Sequence, residues 1–317
     1  MGTIGNLVTI MAFYYAKRKR RYAFHENWCT STIYVINLAF IDFLFCVTML
    51  MQVFYSFHYM NYEDEHVIFN DTDVWWCTML AHMQILFGSL DGSTIAFISV
   101  MRAVAVTSNQ KWETLCERRR NVFIFLLFPC FFTLIIYAPT FGQLYKRNRE
   151  TGHCLPVMED STSWYVENIR YVIHAIVGAT ILLSYFYILC YVSRHSRASK
   201  DFNFVLTRKN SKHVNSRNIK IAKTMAIVAF SSVFFFLPWL LVQILHNINY
   251  IDEDTYSLWY MITYTSLTLQ YCINMFIYAW RKDGYRHAII DGCSICNDND
   301  SAKKTNLMNT MNTSNQK

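Results

Sequence analysis

The stretch Cys77-Thr-Met-Leu-Ala-His82-Met-Gln84-Ile-Leu-Phe-Gly88-Ser-Leu-Asp91-Gly-Ser-Thr-Ile-Ala-Phe-Ile-Ser-Val-Met-Arg102-Ala-Val-Ala-Val106 decides how the whole chain is read. It is mostly apolar and contains no proline. Arg102 follows Cys77 by 25 residues, which at ~1.5 Å per residue is roughly 37 Å of helix. That exceeds a hydrocarbon core of ~30 Å, so the two ends reach opposite interfaces. The cysteine suggests an oxidising side and the arginine the cytoplasm. At ~3.6 residues per turn, Gln84, Gly88, Asp91, Ile95, Ile98 and Arg102 share one face. Lipid would penalise the polar members of that face, so it should turn into a helix bundle.

Composition agrees with a membrane reading. The 317 residues are 53% hydrophobic and 16% charged, against about one quarter charged in an ordinary soluble protein. Aromatic residues make up 17% of the chain, with only nine glycines and four prolines, so the hydrophobicity is carried by helices. No small-residue cleavage site follows the first apolar run, so no cleavable signal peptide is read. The ten cysteines form no pair of CxxC units of the zinc-site kind.

Outward from the central stretch the chain resolves into seven spans. Met1–Ala16 is apolar but gives only ~24 Å of helix, and a first helix shortened at its N-terminus is the preferred reading. The second span is Cys29–Phe57, with Asp42 inside it. His58–Trp76 is a polar, acidic loop with the acceptor sequon Asn70-Asp-Thr72. After the third span and the basic loop Thr107–Asn121 comes the fourth, Val122–Gln143, interrupted by Pro129 and Pro139. Leu144–Asn168 is a loop containing Cys154. Ile169–Ser193, Ile219–Leu245 with Pro238, and Leu258–Trp280 complete the set. Arg281–Gly292 reads as a short amphipathic helix with Tyr285 and Ile289, closing a membrane domain of residues 1–292. Residues 293–317, rich in Asn, Ser, Thr and Asp, read as a disordered cytoplasmic tail.

Charge orients the spans. Of 29 Lys and Arg, only Lys146, Arg147, Arg149 and Arg170 fall on the Cys77 side. Acidic residues do the reverse, so the Arg102 side is read as cytoplasmic and the N-terminus as extracellular. Asn70 then lies outside, as glycosylation requires, and Asn312 falls inside. The formal charge of +7 is thereby explained by topology rather than by nucleic acid, and attraction to anionic membrane lipid is compatible with it. A multi-pass plasma-membrane protein is expected.

Cys77 and Cys154 are the only cysteines in or beside the outer loops. They read as a disulfide, with two free thiols as the alternative. Cys293 and Cys296 are candidates for palmitoylation; two unmodified tail cysteines are the competing reading. Asp42 and Asp91 are intramembrane carboxylates, each costing roughly 2.5–3.5 kcal/mol at a helix centre. With Asn6, Gln270 and Asn274 at similar depth, they suggest a polar cluster that binds Na⁺ or shares a proton. Acids singly hydrogen-bonded within ordinary packing remain the alternative. No other cofactor is expected. Enzyme readings fail on motif: Gly88-Ser-Leu-Asp91 is not the Gly-x-Gly-Asp of intramembrane aspartyl proteases. His82, His174 and His246 form no HExxH, and the seventh span has no lysine for a Schiff-base retinal site.

Taken in order, these landmarks resemble the class A (rhodopsin-like) G-protein-coupled receptors over essentially the whole chain. Gly5-Asn6 is similar to the Gly-Asn of the family's first helix, and Asn37-Leu-Ala-Phe-Ile-Asp42 to its second-helix N-L-A-x-x-D. Cys77 and Cys154 match the family disulfide. Met101-Arg102-Ala103 occupies the D-R-Y position, keeping only the arginine. Phe236-Leu-Pro238 matches W-x-P with Phe for Trp, and Asn274-Met-Phe-Ile-Tyr278 matches N-P-x-x-Y with Met for Pro. Asp42-Phe-Leu-Phe-Cys46 is similar to the moody-like invertebrate orphan branch. The resemblance implies an all-α, seven-helix membrane bundle that passes an extracellular signal to a heterotrimeric G protein. Arg102, Phe236, Pro238, Asn274 and Tyr278 would form its switch. It also implies a sodium site at Asp42, Asp91, Asn6 and Asn274, more acidic than usual because Asp91 replaces a small polar residue.

The chain departs from the family in several places. The fourth-helix Trp and the fifth-helix Pro are missing. No acid precedes Arg102, and Asn218, Ile219 and Lys220 stand where an opposing acid is usual. A less restrained inactive state with raised basal signalling follows; a relaxed receptor with impaired coupling is the rival. Gln84 occupies the position of the amine-receptor Asp, which speaks against a biogenic amine and leaves peptide, lipid or small metabolite. The acidic outer loops favour a basic or neutral ligand by steering. His82, Gln84, Gly88, Trp239 and Tyr264 are pocket candidates, with helix packing as the alternative for each. From another class, a polytopic transporter or channel is the alternative, although neither internal repeats nor Gly-rich broken helices are found.

Overall fold

A computed structural model describes residues 1–19, 30–60, 71–107, 119–138, 145–147, 154–156, 161–201, 209–248 and 250–281. Asn70, Cys293, Cys296, the 282–292 part of the expected amphipathic segment and the tail lie outside the described residues. Seven α-helices are present among those described: α1 Gly2–Lys19, α2 Thr30–Met60, α3 Asp71–Thr107, α4 Arg119–Tyr137, α5 Ser161–Asp201, α6 Lys209–Asn247 and α7 Glu253–Arg281. Between α4 and α5, β1 (Tyr145–Arg147) pairs antiparallel with β2 (Cys154–Pro156), Tyr145 opposite Pro156 and Arg147 opposite Cys154. The segment Leu144–Asn168, a loop by its sequence pattern, thus contains a hairpin and the start of α5. Three-residue strands are too short to show an alternating pattern.

The helix ends differ from the expected spans for two physical reasons. α3, α5 and α6 run through 37, 41 and 39 residues, past the apolar runs that defined them. Backbone hydrogen bonding continues beyond the point where side chains become polar. α4 instead ends at Tyr137, short of the expected Gln143. The sequence Ala138-Pro139 follows, and a proline disfavours helical geometry in the residue before it.

Large amide and carboxyl side chains are held inside the bundle, and its outer surface is apolar. Asn6, Asp42, Gln52, Asp91, Gln243, Gln270 and Asn274 are buried, while Phe54, Phe57, Phe131, Leu183, Phe186 and Phe230 are exposed. Water would reverse that distribution; hydrocarbon requires it. Ile33–Phe57, Trp75–Thr107, Asn168–Arg194 and Lys223–Asn247 are long and apolar enough to cross a membrane by composition alone. Gly2–Tyr14 and Leu126–Ile135 are shorter apolar stretches. α7 is diluted by its tyrosines, threonines, Gln270 and Asn274. Hydroxyls within the spans return their protons to the helix: Thr9 to the Gly5 carbonyl at 2.9 Å, Ser99 to Ile95 at 2.7 Å, Thr263 to Trp259 at 2.7 Å.

α3 runs through the middle, packing against α2, α4, α5, α6 and the hairpin. Two cores form around it. Leu38, Ile95, Ile98, Ile188, Val228 and Ile277 build a largely aliphatic one. Phe45, Tyr256, Tyr260, Tyr264 and Tyr271 build an aromatic one.

α1 docks on α7 through a glycine. A Cβ on Gly5 would overlap the Sδ of Met275. Met275 is half-buried and flexible, so the contact is knob into hole rather than backbone on backbone. Gly5→Val should therefore destabilise the purified protein by about 1–3 kcal/mol. Met275→Ala should recover most of the loss in a thermal-melt assay; additive losses would contradict this packing.

Candidate functional site

Two features meet in the bundle interior: a carboxyl cluster and a cavity that reaches it. Gln270 and Asn274 are one turn apart on α7 and project from the same face. Gln270 Nε2 donates to Asp91 Oδ2 on α3 at 2.9 Å, and Asn274 Nδ2 donates to Asp42 Oδ2 on α2 at 2.8 Å. Asp42 is 0% and Asp91 1% exposed, and the two carboxyl groups lie close enough to interact directly. Asp42 Oδ1, Asp91 Oδ1 and Asn274 Oδ1 meet no donor among the described residues. The two carboxyl groups are within hydrogen-bonding reach of each other, so the cluster can hold a shared proton or, with Asn274 Oδ1, a cation. Asn6, expected to join this cluster, instead donates to the Tyr271 carbonyl at 2.9 Å and ties α1 to α7.

The cavity, about 310 Å³, is bounded by α3, α5, α6, α7 and the hairpin. Gln84, Gly88, Trp239 and Tyr264 line it as the sequence suggested, and Phe236 does so too. Gln84 is held by Gln52, whose amide oxygen accepts from it, and by Tyr264, whose hydroxyl donates to Gln84 Oε1 at 2.8 Å. A side chain on Gly88 would come within 3.4 Å of the Tyr271 hydroxyl, so glycine keeps this part of the wall open. Asp91 and Gln270 line the same cavity, which therefore extends to the acids.

His82 takes the packing alternative. Its ring is not among the cavity-lining residues but packs edge-on against Tyr137 and Tyr145, with centroids 5.6 and 5.2 Å away. It stands two residues before Gln84, and such a step turns a side chain to another face of the helix. Arg170, Tyr171, Gln243 and the tyrosines Tyr256 and Tyr260 line the cavity without having been singled out as pocket residues. Arg170 was counted only as a loop charge, yet it is buried in α5. Gln243 lies one turn from Trp239 on α6, and that spacing was the signal that could have found it.

The mouth is built by the disulfide. Cys77 at the start of the central stretch bonds Cys154 of β2. Both cysteines are buried, and Tyr145 N–H on β1 donates to Thr78 Oγ1 at 3.0 Å. Free thiols, the alternative reading, are thereby set aside at this pair.

At the other end of α3, Arg102 is 7% exposed between Met101 and Ala103. No carboxylate pairs with it among the described residues. The Tyr185 hydroxyl lies near Ser99 and within electrostatic reach of the guanidinium. Pro238 sits inside α6, with Phe236 between the rings of His174 and Trp239 at 5.5 and 5.4 Å. The Tyr278 side chain lies outside the described residues.

Comparison with known proteins gives one answer. Residues 5–278 match the family described as 7 transmembrane receptor (rhodopsin family). The chain is 25% identical over 305 residues to opsin Rh3 of Drosophila melanogaster, covering 92% of this chain and 74% of the opsin. It is 24% identical over 302 residues to opsin Rh3 of Drosophila pseudoobscura pseudoobscura, covering 92% and 73%. Its fold is similar to that of squid rhodopsin, with a TM-score of 0.67 at 19% identity over 91% of this chain and 80% of that one. With the match spanning most of its length, the chain belongs to the rhodopsin family of seven-transmembrane receptors.

Proposed function

We propose that this receptor sits in the plasma membrane with its N-terminus and Cys77 end outside and its C-terminus inside. It takes a small molecule into the α3–α5–α6–α7 cavity and signals to a heterotrimeric G protein at the Arg102 end. One observation carries the reading: a single helix lines a ligand-sized cavity at one end and buries an arginine at the other, where no carboxylate among the described residues pairs with it. A volume of about 310 Å³ suits a small molecule. Membership in a receptor family sets aside the transporter or channel alternative and enzymatic activity.

Signalling is then a population shift. A ligand that binds one helix arrangement better than another moves the equilibrium by its differential affinity, and about 1–3 kcal/mol of coupling is typical. Pro238 gives α6 a pivot beside Phe236 and Trp239 on the cavity wall. Likeness to opsins does not extend to a covalent aldehyde linkage on α7, because no lysine occurs between Glu253 and Arg281.

Expression of the intact chain should raise G-protein dissociation above that of mock-transfected cells before any ligand is added. A library of small metabolites, lipids and peptides should yield small-molecule agonists. Arg102→Ala should lose both signals while reaching the surface normally. Basal activity equal to mock, with no response for any G-protein class, would contradict the proposal.

The cluster of Asp42, Asp91 and Asn274 either shares a proton between its acids or holds a hard monovalent cation, and Na⁺ would neutralise the charge between ionised acids. Replacing choline by sodium should stabilise the purified receptor, by about 1.4 kcal/mol when sodium stands roughly tenfold above its Kd. Asp91→Asn should remove that increment. A melt indifferent to sodium would contradict the site.

A further inference from the structure

Among the described residues, four cysteines lie outside the Cys77–Cys154 disulfide: Cys46, Cys130, Cys190 and Cys272. Cys130 returns its thiol proton to its own helix, donating to the Leu126 carbonyl at 3.5 Å. Cys46 on α2 and Cys272 on α7 turn to each other instead. A Cβ placed on Gly2 of α1 would stand 2.7 Å from the sulfur of each. Both sulfurs thus crowd one point, in space left by a buried glycine, and they lie within hydrogen-bonding reach of one another.

The neighbouring contacts hold α2 and α7 in this register. Asn274 donates to Asp42 at 2.8 Å, and Asp42 is one turn from Cys46. The rings of Phe45 and Tyr271, chain neighbours of the two cysteines, stack with centroids 3.8 Å apart. On α7 these two partners, Tyr271 and Asn274, stand on either side of Cys272. The thiols are therefore brought together by a frame that does not depend on them. Both cysteines are partly exposed, on helices whose surroundings are hydrocarbon. Apolar peroxides enter hydrocarbon, whereas a charged thiol is excluded by the cost of carrying charge there. The pair accordingly answers to oxidants dissolved in the bilayer rather than to the aqueous thiol pool.

We propose that Cys46 and Cys272 are a modification site: a second, reversible disulfide that clamps α7 to α2, closed by an apolar hydroperoxide in the membrane and opened by a neutral dithiol. One sulfur attacks the O–O bond of the hydroperoxide ROOH; that bond breaks, the alcohol ROH leaves with the thiol proton, and a sulfenic acid remains on the sulfur. The second thiol attacks this sulfur, its proton and the hydroxyl depart as water, and the S–S bond forms. The two thiols lose two electrons and the peroxide bond gains them. The clamp needs the membrane placement of α2 and α7 but not the signalling proposal. It fastens the helix that carries Tyr260 and Tyr264 on the cavity wall, and so favours the described arrangement over others.

The test uses the full-length protein in phosphatidylcholine nanodiscs, treated with cumene hydroperoxide, quenched with N-ethylmaleimide and mapped by peptide mass spectrometry. The peptides carrying Cys46 and Cys272 should be recovered joined and two hydrogens lighter, and dithiothreitol should separate them. Because the thiols are already adjacent, they should be consumed about tenfold faster than Cys130 or Cys190. The melting temperature of the wild type should rise on oxidation and fall back with dithiothreitol, and that of Cys46→Ser should not move with peroxide. Both thiols recovered as maleimide adducts after peroxide, oxidation no faster than at Cys130 and Cys190, or linkage of either sulfur to a different cysteine would each overturn the site. A Cys46–Cys272 bond that leaves the melting temperature unchanged would overturn the clamp.

Discussion

Two carboxyl groups buried side by side constrain everything around them. Neither Asp42 nor Asp91 can face lipid, so α2 and α3 must turn those faces inward. Each acid takes one amide from α7, Asn274 for Asp42 and Gln270 for Asp91. Because the two amides are one turn apart on a rigid helix, the rotation and height of α7 against both partners are fixed together. Tyr264 and Tyr260 then fall on the cavity wall above, and Asn6 anchors α1 to the same helix through the Tyr271 carbonyl.

The same arrangement explains how a signal could travel. α3 carries the disulfide at one end, Gln84 and Gly88 on the cavity wall, Asp91 at the cavity floor and Arg102 at the far end. A ligand touching the wall of α6 at Trp239 acts beside Pro238, where the helix lacks one backbone hydrogen bond. The aliphatic core around Ile95, Ile98, Ile188 and Val228 lies between that kink and Arg102. Its close packing favours discrete helix arrangements over gradual deformation.

The sequence made the large features legible because the membrane imposes them strongly. Long apolar runs, the asymmetry of Lys and Arg, and two cysteines on one side were enough for seven helices and one disulfide. The acids with Gln270 and Asn274 were legible too, since intramembrane polar groups must find one another. What escaped was set by tertiary contact. The hairpin is too short for a pattern, helix ends outrun the apolar residues, and His82 turns to Tyr137 and Tyr145 rather than to the cavity. Asn6 chose a backbone carbonyl over the acids. Arg170 was read for its sign in a loop rather than for its place in a buried wall. No one-dimensional pattern distinguishes those positions, because only the packing of the helices and the hairpin on one another does.

The central claim is that the Cys77 end and the Arg102 end of α3 lie on opposite sides of a membrane. Short epitope tags inserted between residues 147 and 154, and separately between residues 201 and 209, test it in intact cells. The account predicts that the first tag is stained without permeabilisation and the second only after it. Staining of both tags under the same condition would contradict the account.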